Sequence, residues 1–383
     1  MDRRQNDTLA FCLYRYFPYG GLQRDMLRIA LACQQRGYRI AVYTTAWEGD
    51  VPPGFELHRH RPAGLTNHGR MRRYHQWLTE QLDRQPVACV VGFNKMPGLD
   101  VYYAADGCLK AQAIEERSPF YRRLPRYRQY QAFEEAVFGS KSHTQILMIS
   151  ATQQALYVRH YGTPEQRIHF LPPNVAKDRV AGPDAPEIRR SFREEIGLRA
   201  SDRLLVQVGS GFRTKGLDRS LRALASLPGN LRARTHFYVV GDDNENPYVR
   251  LSRRLGITDR VTFLGPRGDV ARILLGVDLL IHPARHENTG TVLVEALACG
   301  LPVIATAVCG YAHYIERAQA GWVIPEPFDQ HLFNRQVREA LEDDRLQELG
   351  HRGIAFAQTE DLHGMVDAAV KTIEELASVR DGR

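Results

Sequence analysis

A short apolar run that ends in a turn and leads into a helix recurs along this chain, and this pattern restricts the fold more than any other feature. Leu9 to Tyr14 reads as a strand, followed by the turn Phe17-Pro18-Tyr19-Gly20-Gly21 and a helix with Leu22, Met26, Leu27, Ile29, Ala30 and Cys33 on its apolar face. Arg39 to Thr44, Ala88 to Phe93 and Ile146 to Ile149 read as further strands. Helical periodicity covers Gln76 to Leu82, and Ser150 can cap a helix that begins Ala151-Thr152. A second set runs Leu204 to Val208, Phe237 to Val240, Val261 to Leu264, Val277 to Ile281, Pro302 to Ala305 and Gly321 to Ile324, with helices between them. Strands alternating with helices imply parallel sheets, so the expected class is α/β with two Rossmann-like domains. The sets are separated by Phe170 to Arg179 and the Pro/Gly/Ala stretch 181–186. We expect domains at 1–178 and 179–360, with 361–383 carrying a last helix, Met365 to Leu376, that has no strand after it and packs back on the first domain.

Ligands of such sheets sit beyond the carboxyl ends of the strands. That rule places Gly21, Asn94, Lys95 and the segment Asp100 to Asp106 on one rim of the first domain. In the second domain the richest stretch is 277–316. There a strand is followed by His286-Glu287-Asn288-Thr289-Gly290 and an apolar helix pattern from Val292 to Ala298, which Thr289 or Asn288 can cap. A helix start presents unpaired N–H groups and positive potential, and Gly290 allows close approach of a phosphate. Glu287 precedes this anion site, and Glu295 lies about two turns inside the helix, where an apolar neighbourhood demands a partner for its charge. Acid, amide cluster, acid is the order needed to read sugar, diphosphate and ribose. A second glycine turn, Gly209 to Gly216, carries Arg213, Thr214 and Lys215; the lysine before a helix suits a diphosphate, and glycine rather than Ser or Thr after it excludes a Walker A loop.

Charge and cysteine content narrow the setting. Residues 1–178 hold 24 Lys and Arg against 16 Asp and Glu, a balance of +8, while the remainder is at −1, so the basic excess behind the net charge of +7 lies in the first half, which suits an anionic partner. Between 117 and 133, Arg117, Arg122, Arg123, Arg126 and Arg128 interleave with Phe120, Tyr121, Leu124, Tyr127, Tyr130 and Phe133, an interfacial composition in which Pro125 starts the regular helix. A nucleic-acid binder would leave the acidic motif without a purpose. The polar opening MDRRQND and the absence of an apolar run of about 18 residues give no signal peptide or membrane span, so a cytoplasmic location is expected. Six scattered cysteines read as reduced buried thiols, with no metal site.

The spacing of Glu287 and Glu295, with Gly300-Leu-Pro-Val303 after them, resembles the retaining glycosyltransferases of family four. The runs Phe11 to Asp25, Val91 to Asp100 and Val308 to Ile315 resemble one subgroup, the lipopolysaccharide core glucosyltransferase I family of Gram-negative bacteria. The resemblance implies the glycosyltransferase B arrangement and transfer of glucose from UDP-glucose to the first inner-core heptose. Another UDP-hexose or UDP-N-acetylhexosamine donor, or another polysaccharide acceptor, is the alternative. It puts Glu287 at the donor hexose, Glu295 on the ribose, Asn288, Thr289, Gly290 and Thr291 on the pyrophosphate, and Lys215 on the phosphates. Gly21 would approach the donor, Arg179 would close over it, Arg267 would lie beside the uracil, and Asp106 and Asp25 would stand on the acceptor side. Where that family often has arginine directly before the lysine, this chain has Thr214, with the arginine at Arg213. No cofactor or metal is expected, since same-face attack uses the leaving oxygen as base; an inverting reaction would need a general base, for which Asp106 is the candidate. The implied acceptor is the lipid A-core on the inner face of the inner membrane, where segment 117–133 would bind the anionic surface peripherally.

Overall fold

The computed structural model describes residues 7–18, 20–115, 117–176 and 179–381; Tyr19 of the first glycine turn and Lys177 and Asp178 of the linker lie outside the described residues. The chain divides into two units, residues 1–172 with 364–383, and residues 173–363. The crossings therefore fall at Pro172/Pro173 and His363/Gly364, displaced from 178 and 360. Within the second unit the two crossing segments are tied together: Val175 N donates to Leu362 O at 2.8 Å, and His363 Nδ1 lies 2.7 Å from Val175 O.

The first unit holds strands β1 Thr8–Cys12, β2 Arg39–Thr44, β3 Phe55–Arg59, β4 Cys89–Gly92, β5 Val101–Ala104, β6 Gln145–Met148 and β7 Ile168–Phe170, in the order β3-β2-β1-β4-β5-β6-β7. The second holds β8 Arg203–Val208, β9 Thr235–Val240, β10 Val261–Gly265, β11 Leu279–His282, β12 Val303–Thr306 and β13 Gly321–Ile324, in the order β10-β9-β8-β11-β12-β13. All pairings are parallel. Alternate residues of one strand enter different cores: Leu9 and Phe11 pack on one face of the first sheet, Ala10 and Cys12 on the other. Burial on both faces is what makes these strands continuous apolar runs. All six cysteines are buried thiols.

Three strands escaped the sequence reading. β3 is an edge strand with alternating polar residues, and β7 is three residues long. The third, β5, corrects an expectation. Asp100 to Asp106 is not a rim segment, because Val101 to Ala104 form an interior strand and the Asp100 carboxylate accepts from Val90 N at the amino end. Only Ala105 and Asp106 reach the carboxyl rim.

The last helix, Met365–Asp381, lays Met365, Ala369, Val370, Ile373 and Ala377 into the core shared with Met26, Ile29 and Cys33 of the helix Gly21–Gln35. Arg36 closes this contact on Glu374 and Asp367 at 2.7 and 2.9 Å. The arginine-rich segment is a short 3₁₀ turn, Pro119–Arg123, then the helix Pro125–Phe138 with proline at its first position. Its five arginines and Phe120 are exposed, whereas Tyr127 and Phe133 are buried in the unit, so the aromatics do not form one outward stripe. Among the described residues no helix is long and apolar enough to cross a membrane.

Candidate active site

The second sheet runs outward from β8 to β10, then crosses to β11 and runs outward the other way, so its topological switch point lies between β8 and β11. The turns leaving these two strands are forced together. Gly216 ends the first at a positive φ of 72°, and a Cβ there would stand 2.0 Å from Pro283 O in the second. Arg285 N donates to Thr214 O at 2.7 Å, its guanidinium reaches Arg213 O, and the same guanidinium forms a two-pronged pair with Asp218 at 2.7 and 2.9 Å. Beneath, buried Gln207 donates to Lys215 O at 3.0 Å and is itself held by Ser220 at 2.6 Å. The lysine backbone is thus fixed from below, and its ammonium projects beyond the strand ends.

That ammonium pairs with Glu287 Oε2, and His282 Nε2 lies 3.2 Å from the same oxygen. Burial alone would raise the Glu287 carboxyl; the His282 hydrogen bond and the Lys215 charge overcome it and hold the group down at about 2. A carboxylate only accepts, so His282 Nε2 carries the hydrogen, leaving Nδ1 buried without a partner among the described residues. The turn bearing Glu287 is braced against the turn after β12: Glu287 bridges Cys309, Gly310 N donates to Glu287 O, and Tyr311 N donates to Thr289 O at 2.8 Å. His282 was missed in the sequence, where it passes for the end of an apolar strand; a lone imidazole closing Leu279–His282 at the carboxyl rim was the available signal.

The next helix is Thr291–Ala298, and the cap is Gly290 in the left-handed region, with no side-chain cap from Thr289 or Asn288. The amides of Thr291 and Val292 donate to no described residue, so this helix start keeps unpaired donors at the positive end of its dipole. Ser150 likewise stands at its cap position without a side-chain bond to the backbone. Glu295 has the partner its burial demanded: Arg179 Nη1 donates to Oε1 at 2.6 Å, and Oε2 has no partner among the described residues. The linker is fastened there as well, through Ala181 N to Ala298 O.

The structure therefore gathers Lys215, Glu287, Asn288, Thr289, Gly290 and Thr291, with the backbone of Arg213 and Thr214, around one switch point, and Arg179 with Glu295 on the adjoining helix. The Arg213 guanidinium makes no ion pair among the described residues. Arg267 is not brought into the cluster: it follows edge strand β10 and is exposed in a two-pronged pair with Asp269 at 2.7 and 2.6 Å. Gly21, Asp25 and Asp106 belong to the first unit. A Cβ on Gly21 would meet nothing within 4 Å, so packing does not require glycine there. Asp25 accepts from the Tyr103 hydroxyl at 2.8 Å, and the Asp106 side chain is exposed. Lys95 does not project freely from the rim; it is partly buried, with its ammonium paired to the buried Glu134.

Two parallel α/β units, with a Lys–Glu pair and a helix start at the switch point of the second sheet, place this cluster where such sheets bind their ligands. Residues 188–356 match the family model for glycosyl transferases group 1, and the sucrose-phosphate synthase structure from Thermosynechococcus elongatus superposes with a TM-score of 0.75 at 18% identity, covering 98% of this chain and 100% of that one. The lipopolysaccharide glucosyltransferase WaaG of Escherichia coli K12 is 44% identical over 95% of this chain and 98% of its own length. A crystal structure of WaaG, described as a glycosyltransferase involved in lipopolysaccharide biosynthesis, gives a TM-score of 0.87 over 95% of this chain and 99% of that one. The chain belongs to this lipopolysaccharide glucosyltransferase family.

Proposed function

We propose that this glycosyltransferase moves glucose from UDP-glucose, with retention of configuration, to the first heptose of the lipopolysaccharide inner core. The observation that carries the reading is the Lys215–Glu287–His282 cluster facing the helix start at Thr291, in a chain 44% identical to a lipopolysaccharide glucosyltransferase. In this scheme the sugar C1–O bond to the diphosphate breaks as C1 becomes oxocarbenium-like. Lys215 and the amides at Asn288 to Thr291 stabilise the charge on the departing diphosphate. The acceptor hydroxyl attacks from the same face, and its proton passes to the leaving phosphate oxygen, so no side-chain base is needed. Glu287, ionised and oriented by His282, takes the hexose hydroxyls. Glu295 takes the ribose through its unpartnered oxygen, with Arg179 beside it. Arg267 reaches the uracil only if it leaves Asp269.

No metal ion enters this scheme. The enzyme works at the cytoplasmic face of the inner membrane, held by Arg117, Arg122, Arg123, Arg126 and Arg128, whose exposure favours attraction to an anionic leaflet. The test is release of UDP across a panel of UDP-hexoses and UDP-N-acetylhexosamines with a heptose-terminated core acceptor, with and without chelator. UDP-glucose is expected to give the highest kcat/KM, unaffected by chelation. Preference for another donor, or loss of activity with chelator, overturns the corresponding part of the scheme.

A further inference from the structure

The first unit contains an ion pair that the transfer scheme leaves unused. Glu134 lies on the inner side of the helix Pro125–Phe138 and is fully buried. Its Oε2 accepts from Lys95 Nζ at 2.5 Å and from Leu109 N at 2.9 Å; its Oε1 accepts from the Tyr161 hydroxyl at 2.6 Å and from Lys110 N at 3.1 Å. Burial opposes the charge, yet the Lys95 ammonium beside it keeps the carboxyl below its ordinary value. A buried pair like this is a poor way to hold two elements together, because apolar side chains of similar volume do so without the desolvation penalty. What the carboxylate does that an apolar group cannot is accept the first two amides of the helix Leu109–Glu115, which begins where the loop after β5 ends.

That loop is fastened at nearly every peptide by side chains from elsewhere in the unit. Tyr157 donates to Asp106 O at 2.8 Å, Lys95 donates to Gly107 O at 2.7 Å, and Gln153 accepts from Cys108 N at 2.9 Å. Glu134 then takes Leu109 N and Lys110 N. The Asp106 side chain is exposed at the carboxyl rim, and its carboxylate accepts no hydrogen bond among the described residues, although its charge acts on Lys95 and Tyr102. A loop fixed this thoroughly fixes the direction in which one carboxylate points.

We propose that Glu134, with Lys95, is a positioning residue for the acceptor side of the transfer, holding the 105–108 loop and the start of the helix Leu109–Glu115 so that Asp106 meets the hydroxyls of the acceptor sugar. This rests on reading Asp106 as an acceptor-side carboxylate. Glu134 also sits on the helix whose outer side carries Arg126 and Arg128, so one rigid element links the basic surface to the acceptor loop.

Glu134→Gln keeps the volume but turns an NH2 toward donors that need an acceptor. The variant is expected to lower kcat/KM for a delipidated heptose-terminated core oligosaccharide about tenfold to a hundredfold, mainly through acceptor KM. UDP affinity and acceptor-independent hydrolysis of UDP-glucose should stay within about twofold. Amide exchange at Leu109 and Lys110 should quicken. Tyr161→Phe, which removes one hydrogen bond to Oε1, should shift the same quantities less, and it decides the matter if the first variant does not fold. Unchanged acceptor kcat/KM in a folded variant overturns the proposal, as does a parallel fall in UDP affinity, which marks a merely structural role. If the wild-type protein transfers no glucose to this acceptor, the proposed function fails. The exchange measurement still judges the loop, and unchanged exchange at Leu109 and Lys110 overturns the positioning role.

Discussion

Glu287 is held between two donors that come from different strand ends, Lys215 after β8 and His282 at the end of β11. Glu287→Ala should lower transfer about a hundredfold to a thousandfold while isothermal titration shows UDP affinity changed only a few-fold, because its proposed contacts are to the hexose. Equal losses in both would remove the assignment. The same arrangement sets an acid limit on stability. The carboxyl is held at about 2 against an ordinary 4.5, so the stability it contributes is present above the ordinary value and is lost as pH falls from there toward 2. Calorimetric unfolding temperatures should fall across that window, less steeply in Glu287→Gln. The need of Glu295 for a partner was legible in the sequence, since helical spacing places it among apolar neighbours, and the structure supplies that partner; the pairing of Lys215 with Glu287, 72 positions apart, was not. Arg179 as the partner within 2.6 Å of Glu295 was not, because the pair spans 116 positions and closes only when the linker lies along the helix. Lys95 was misread for a related reason: sequence places it at a strand end, but only packing decides whether a strand end opens to solvent or to Glu134.

At the scale of elements, long apolar strands with turn residues beyond them were read nearly to the residue, as in β2 and β8. Short or edge strands carry too few buried positions to write a pattern, which is why β3 and β7 were passed over. The helix Pro125–Phe138 shows a subtler limit. Its start at Pro125 was evident, yet an alternation of arginine and aromatic residues does not say which aromatics face inward, and Tyr127 and Phe133 do. The proposed surface contact is therefore electrostatic. Each arginine near an anionic leaflet contributes about 1 kcal/mol, so several together give reversible binding. Neutralising Arg122, Arg123, Arg126 and Arg128 should abolish flotation with anionic vesicles and leave thermal stability nearly unchanged, since none of the four makes an ion pair among the described residues. Wild-type flotation by that variant would place the membrane contact elsewhere.

For the molecule as a whole, the alternation of strands and helices was enough to give two parallel α/β units, while the places where the chain changes units depend on contacts that no local pattern records. A chain ending at residue 363 should keep the second sheet and its site but lose the five apolar side chains that Met365–Asp381 lays on the first core, at about 1.5 to 3 kcal/mol for each large one. Protease resistance and unfolding temperature of the first unit should drop sharply; an unaltered first unit would mean that the helix is dispensable. The same feature bears on how the protein is made. The first 172 residues leave the ribosome early, but the helix that covers Met26, Ile29 and Cys33 is translated only after the whole second unit. At about 5 to 20 residues per second, the intervening segment keeps that apolar face waiting for roughly ten to forty seconds. Until then the face is bare, and any chain stopped short of this helix would keep it uncovered.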